Sequence, residues 1–231
     1  EIAETDSSTS SSAGTNPIAL PIKDFTGKVQ IDAIYLENVV LSKLDTSLVI
    51  KNEDVTLTVA PLQMASEGSQ GSFETDLKMN LKDISVNMNY ALANVDQKIL
   101  NTFSRSAGLE FEKALFASAG NIKASNALTL FELKNQTSLK DIKLAGAQEI
   151  PPLSLTVDLD VGADLQKSIL KASVVDAKGS VGEKKFLTAD LTKPLMLSWG
   201  ASPREAAPDS ALSVVWNLEL ADWKGLLQDP Q

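Results

Sequence analysis

The chain of 231 residues contains no cysteine and no histidine. Without thiols there is no disulfide, no thiolate nucleophile and no cysteine-built zinc site; without imidazole the usual general base and commonest zinc ligand are missing. Most familiar hydrolase chemistries are thereby excluded, and the chain reads as non-enzymatic, with no cofactor and no metal. Basic residues are outnumbered as well, 21 Lys and Arg against 30 Asp and Glu, for a net charge of −9. Such a charge repels a nucleic-acid backbone or an anionic membrane surface on average, so nucleic acid is not an expected partner. No apolar run approaches the roughly 18 residues that a spanning helix needs, and no signal-peptide core is present. The chain opens on Glu1 and closes on "WKGLLQDPQ", which reads as the start of an element. It is therefore read as an excised or processed piece of a longer protein, with any membrane anchor outside it.

Large apolar side chains are also scarce in residues 1–17, "EIAETDSSTSSSAGTNP". Such a stretch cannot bury enough surface to offset its ordering entropy, and it reads as a flexible linker. Over the whole chain 43% of residues are hydrophobic and 22% charged, which is ordinary globular usage, so residues 18–231 should fold.

What is abundant is alternation. Leu44, Thr46, Leu48 and Ile50 share one face, as do Val55, Leu57 and Val59 after "NED". This predicts a hairpin whose connection suits Asn52 and Asp54. The period slips at Ala60-Pro61, before Leu62 and Met64, which predicts a bulge or strand end. Beyond the turn "SEGSQGS", one strand aligns Phe73, Thr75, Leu77 and Met79, and the next aligns Ile84, Val86, Met88 and Tyr90. Further strands are read in "ALTLFELK", "LKASVVDAKGS", "KKFLTADL" and "PLMLSW". The expectation is about ten to fourteen strands against two or three short helices.

The clearest helix is predicted over residues 94–106, with Asn94 as N-cap and Gly108 as stop. It belongs to a degenerate pattern of strand followed by short helix: "SVNMNYALANVDQKIL" from Ser85, "SLTVDLDVGADLQKSIL" from Ser154 and "SVVWNLELADWKGLL" from Ser213. In the second and third copies Asp164 and Asp222 are the expected caps. The expected layout is one elongated β-rich domain with approximate units 18–108, 109–170 and 171–231.

Several motifs invite chemistry that their context withholds. Ser168-Ile169-Leu170-Lys171 fits S-x-x-K without the S-D-N and K-T-G that accompany it in serine acyl-enzymes, and reads as a short helix. Asp158, Asp160 and Asp164 are spaced for hard-cation ligands but lack a terminal bidentate Glu, and a solvated strand face accounts for them. "GSQG" and "GSVG" read as turns, since no basic helix surrounds them. Asn135-Gln136-Thr137 fits the N-glycosylation pattern, which has meaning only in a eukaryotic secreted protein. Trp199, Trp216 and Trp223 would suit a sugar-stacking surface, but read first as core and edge fillers.

So few helices cannot cover so wide an apolar sheet face, and exposed apolar patches beyond a few hundred Å² are unusual in soluble monomers. The sheet must fold onto a second sheet as a β-sandwich-like unit, close, or stay open as a long antiparallel curved sheet whose groove meets lipid chains. The groove candidates are Leu48, Ile50, Val55, Leu57, Val59, Phe73, Leu77, Met79, Val86 and Met88. Each methylene they bury contributes about 0.8 kcal/mol, so a half-covered acyl chain would be held yet free to slide. A sandwich core built of the same residues is the competing reading; it would make the chain a scaffold or adhesion module acting through protein contacts.

Residues 25–80, "FTGKVQIDAIYLENVVLSKLDTSLVIKNEDVTLTVAPLQMASEGSQGSFETDLKMN", resemble the AsmA-like family of bacterial envelope proteins, of the AsmA/TamB type. The resemblance lies in layout: a "G-x-Φ-x-Φ" strand at 27–31, a strand carrying "Φ-x-N-Φ-x-L-x-x-L" at 36–44, a turn at 52–54, a strand at 55–62 ending in Pro61-Leu62, then a glycine-bearing turn and strand at 68–79. It implies a long curved β-sheet with an apolar groove, anchored in the inner membrane and standing in the periplasm. Such a protein would bind or conduct phospholipid or another acyl lipid for lipid transport or outer-membrane assembly, with envelope proteins as further partners.

Overall fold

A computed structural model describes residues 21–146, 151–199 and 211–216. The expected linker at 1–17 and the third expected helix at Asp222-Trp223 lie outside them. Twelve strands form one sheet. In chain order they are β1 (Asp24–Leu36), β2 (Val39–Lys51), β3 (Asp54–Ser66), β4 (Ser69–Asn80), β5 (Ser85–Asp96), β6 (Phe111–Ser125), β7 (Leu130–Leu144), β8 (Leu153–Asp164), β9 (Ile169–Val181), β10 (Lys184–Lys193), β11 (Leu195–Ser198) and β12 (Ala211–Trp216), with helix α1 (Gln97–Ser104) between β5 and β6. Every pairing is antiparallel, and each strand from β1 to β10 lies beside its sequence neighbour. β12 follows β10, while β11 pairs with the free stretch of β9.

The sheet is open and curved. Among the described residues, the strands in substantial contact are hydrogen-bonded neighbours, so no second layer lies over either face and β1 does not meet β12. The expected open sheet is present; the sandwich-like arrangement is not. Local chemistry explains the meander. The β2–β3 and β3–β4 connections are two-residue turns in which Asn52 and Gly68 take left-handed backbone (φ 55° and 83°), the conformation that hairpin turns demand of these residue types. The slip at Ala60-Pro61 is a register shift between Val59 and Leu62 on the β3–β4 ladder, as a proline without an N–H requires.

Among the described residues there is one α-helix rather than two or three. Its N-cap is Asp96, not Asn94: the Asp96 carboxylate accepts from the Lys98 and Ile99 N–H groups, and its other oxygen accepts from the Ser69 hydroxyl at the start of β4. Asn94 instead takes positive φ (54°) at the β5 bulge between Leu92 and Val95. Gly108 ends the following 3₁₀ turn in left-handed backbone, as expected. At Asp164, where a second helix was expected, the chain turns tightly into β9: Asp164 Oδ1 accepts from Lys167 N at 3.0 Å, and Ser168 takes φ 54°. Leu165 is exposed and finds no packed face on which a helix could be retained. The same turn overturns the helical reading of Ser168–Lys171, whose last three residues begin β9. Ile84 is also displaced, into the β4–β5 turn rather than onto the face of Val86 and Met88.

The main core is small and sits under α1. Val39, Met64, Val95 and fully buried Ile99 form it, flanked by Leu36, Leu41, Phe73, Leu92, Leu100 and Phe116. Asn101 clips the helix to β6 at two points, donating to Phe111 O at 2.9 Å and accepting from Phe111 N at 2.8 Å. Because this cluster ties six strands to one helix, Ile99→Ala is expected to lower the unfolding free energy by about 2–4 kcal/mol in urea titrations. Phe103→Ala, on the exposed helix side, is expected to change it by less than about 0.5 kcal/mol.

Candidate functional site: an apolar sheet face

Residues directly opposite on neighbouring strands project to the same face, so the ladder pairings convert single-strand alternation into rows that cross the sheet. One row runs Leu48, Leu57, Leu77, Met88, Ile122, Leu133, Val161, Ala172 and Leu195, from β2 to β11. A second, on the turn side of the first, runs Phe25, Ile50, Val55, Met79, Val86, Ala124, Phe131, Ala163, Leu170 and Leu197. Neither row contains a polar side chain. At about 4.8 Å per strand, the stretch from Leu48 to Val161 is roughly 29 Å long, and the two rows lie about 7 Å apart.

All ten groove candidates lie on this one face. Leu48, Leu57, Leu77 and Met88 stand in the first row; Ile50, Val55, Met79 and Val86 stand in the second. Val59 occupies the next row toward the helix. Phe73, one row further, packs against the core beneath α1 and belongs to the covered end. All ten are half-buried, and all but Phe73 are sheltered by their neighbours without being covered by another element. Ile122, Leu133, Val161 and Leu170 continue the strip into strands whose register with the first half only pairing reveals.

The strip ends toward α1 in a polar patch. Tyr90, Gly120 and Asn135 are successive members of the row that includes Val59. A Cβ on Gly120 would fall 2.9 Å from the Tyr90 hydroxyl, so only glycine lets the ring cross β6 and reach Asn135 Nδ2 at 2.6 Å. Asn135 and Thr137, the residues of the N-x-T pattern, join Ser118 in this cluster.

The opposite face is polar. Thr58, Asp76, Asn89, Asn121, Lys134 and Asp160 form one of its rows, with Asn121 donating to Asn87 and Asn89 and Lys134 paired with Asp160 at 3.3 Å. Asp158, Asp176 and Asp190 stand directly opposite one another on β8, β9 and β10. Asp176, hydrogen-bonded to Lys178 Nζ at 2.7 Å, raises the ammonium pKa, with Asp158 and Asp190 adding to the effect. Among the described residues no group of three or more acidic side chains converges to hold a metal; Asp160 pairs with Lys134 and Asp164 with Lys167.

Other features lie apart from the strip. A cleft of about 770 Å³ between the β1–β2 and β3–β4 tips and α1 is lined by Glu37, Glu67, Gln70, Lys98 and Arg105. Its two cations are already engaged, Lys98 by the Glu67 carbonyl and Arg105 by the Glu110 carboxylate. Gly68 and Gly182 occupy turns as expected, whereas Gly71 lies under Ile99 and Gly179 under Phe186, in strands. Trp199 is 47% exposed beyond β11, with neither of the other tryptophan side chains described beside it.

Asp164 offers a direct test of the β8–β9 turn. The Lys167 backbone N–H, foremost, holds its carboxyl below the ordinary value of 3.8, and the Lys167 ammonium adds to this. A depressed carboxylate contributes stability above its unfolded pKa and loses it as the pH falls through the lower folded value. An NMR titration is therefore expected to place the Asp164 midpoint below 3.8. Lys167→Ala should reduce that depression without abolishing it, because the backbone donor remains.

Comparison with protein-family models, with curated proteins and with solved structures finds no match to this chain.

Proposed function

We propose that the chain binds acyl chains of phospholipid or a similar lipid along the two apolar rows, as a non-enzymatic lipid-handling segment of the cell envelope. The observation that carries this reading is the unbroken aliphatic strip from Leu48 to Val161, with no covering element among the described residues. A strip of that length and of only two rows matches an extended hydrocarbon chain better than a globular partner. It offers contact without directional bonds, so a chain held at about 0.8 kcal/mol per buried methylene can still slide along it. The polar reverse face keeps the same sheet hydrated. A periplasmic setting, in a protein anchored to the inner membrane and serving outer-membrane assembly or lipid transport, follows from the AsmA-like resemblance and is proposed with it.

A second reading, docking of a protein, is favoured by β1. Among the described residues its outer edge has no pairing strand along all 13 positions, it contains no proline, and Phe25, Val29, Ile31, Ile34 and Tyr35 are exposed on it.

Photo-crosslinking from single sites separates the two. With a photoreactive side chain at Leu57 or Met88, phospholipid adducts are expected by mass spectrometry after gentle purification from bacterial membranes. The same probe at Thr56 or Asn87, on the reverse face, should give at least tenfold fewer. Equal labelling of both faces, or protein adducts alone at Leu57 and Met88, would remove the lipid reading.

A further inference from the structure

The polar patch at the helix end of the strip has a specific hydrogen-bond economy. Thr137 Oγ1 donates to Asn135 Oδ1 at 2.8 Å, which spends its only hydrogen. The 2.9 Å contact between Ser118 and Thr137 must then run from the Ser118 hydroxyl to Thr137. Asn135 Nδ2 closes the ring by donating to Ser118 Oγ at 3.1 Å, and its second hydrogen goes to the Tyr90 hydroxyl at 2.6 Å. Every donor in the cluster is thus used inside it except one. The Tyr90 O–H accepts from Asn135 and donates to nothing among the described residues.

The surroundings of that donor are asymmetric. The ring crosses β6 and brings the hydroxyl beside Asn135 on β7, so on the helix side its neighbours in the next row are the polar pair Ser118 and Thr137. On the other side Ile122 and Leu133, two residues along β6 and β7 and about 7 Å away, belong to the open strip. A ligand oxygen bonded to Tyr90 therefore meets polar groups toward the helix and an aliphatic surface away from it, on Ile122 and Leu133 and from there along the strip. The chain's charge of −9 disfavours a free fatty carboxylate and favours an uncharged acceptor.

We infer that Tyr90, held by the Asn135–Ser118–Thr137 ring, donates to the ester carbonyl of an acyl lipid and so sets where the polar end of the chain stops on the strip. This rests on the acyl-binding reading above and adds a specificity to it: ester-linked lipid is preferred over the same lipid without the carbonyl. Gly120 is part of the device, since any side chain there would push the ring off its path to Asn135.

The test compares a short-chain diacyl phosphatidylcholine with its dialkyl ether analogue, equal in chain length and headgroup, by calorimetry below micelle-forming concentrations. Wild-type protein is expected to bind the ester lipid about fivefold more tightly, the worth of one neutral hydrogen bond. Tyr90→Phe, which keeps the ring over Gly120, should bind both lipids with the wild-type affinity for the ether and still unfold cooperatively in urea, at a midpoint lowered only by loss of the Asn135 hydrogen bond. If both lipids bind wild-type protein equally, or if Tyr90→Phe keeps the ester preference, the role of Tyr90 fails while the strip stands. If neither lipid binds more than a charge-matched control protein, both readings fail together.

Discussion

In an antiparallel ladder the partner of each residue is determined by its neighbours, and side chains directly opposite share a face. Everything distinctive about this protein depends on that constraint being satisfied nine times in succession, from β1 to β10. A slip of one residue at any ladder would turn the strands beyond it over and break both apolar rows. Most of the shifts that do occur lie off the strip, the exception being the one at Asp160/Val161, where the first row crosses from Val161 to Ala172. Those at Val59/Leu62, Leu92/Val95 and Leu139/Ile142 all lie toward the helix side of the strip, and across β2 to β7 the rows containing Leu48 and Ile50 pass through no bulge.

The same architecture explains the distribution of burial. A wide single sheet offers only one place for a conventional three-dimensional core, the end covered by α1, and there Ile99 and Val39 are fully enclosed. Elsewhere stability has to come from ladder hydrogen bonds and from lateral packing of side chains within each row, since no second layer is present among the described strands. The strip is consequently half-buried throughout, a state that leaves surface for a further apolar contact while the molecule itself is already folded. Charged side chains such as Lys134 and Asp160 pair on the reverse face, and hydroxyl and amide groups bond to one another in the cluster around Asn135.

Single-strand periodicity made much of this legible. The hairpin between Ile50 and Val55, the proline bulge, the sharing of a face by Leu57 and Val59, and a helix ending at Gly108 all follow from residues within a few positions of one another. The errors are equally local in origin. Asn94 and Asp96 are both good caps, and the choice went to Asp96 because Ser69, on another strand, bonds its second oxygen. "ADLQKSIL" has helical spacing, but without a packed face it turns directly into β9, whereas "NVDQKIL" gains the pocket that buries Ile99. Asn135 and Thr137 looked like a modification pattern because the residues that explain them, Ser118 and Tyr90, lie on other strands.

What the sequence by itself determined is the parity of each strand: one face aliphatic, one face polar, with no imidazole or thiol for the commonest chemistries. Side-chain direction alternates by backbone geometry alone, so ten groove residues could be assigned to faces without knowing any neighbour. Only the tertiary structure decided that these faces line up into two rows across the sheet, that α1 closes one end, and that Tyr90 reaches over Gly120 to Asn135. Those outcomes depend on pairing between strands distant along the chain, where many registers satisfy the local alternation equally well and only the summed contacts of the whole sheet select one.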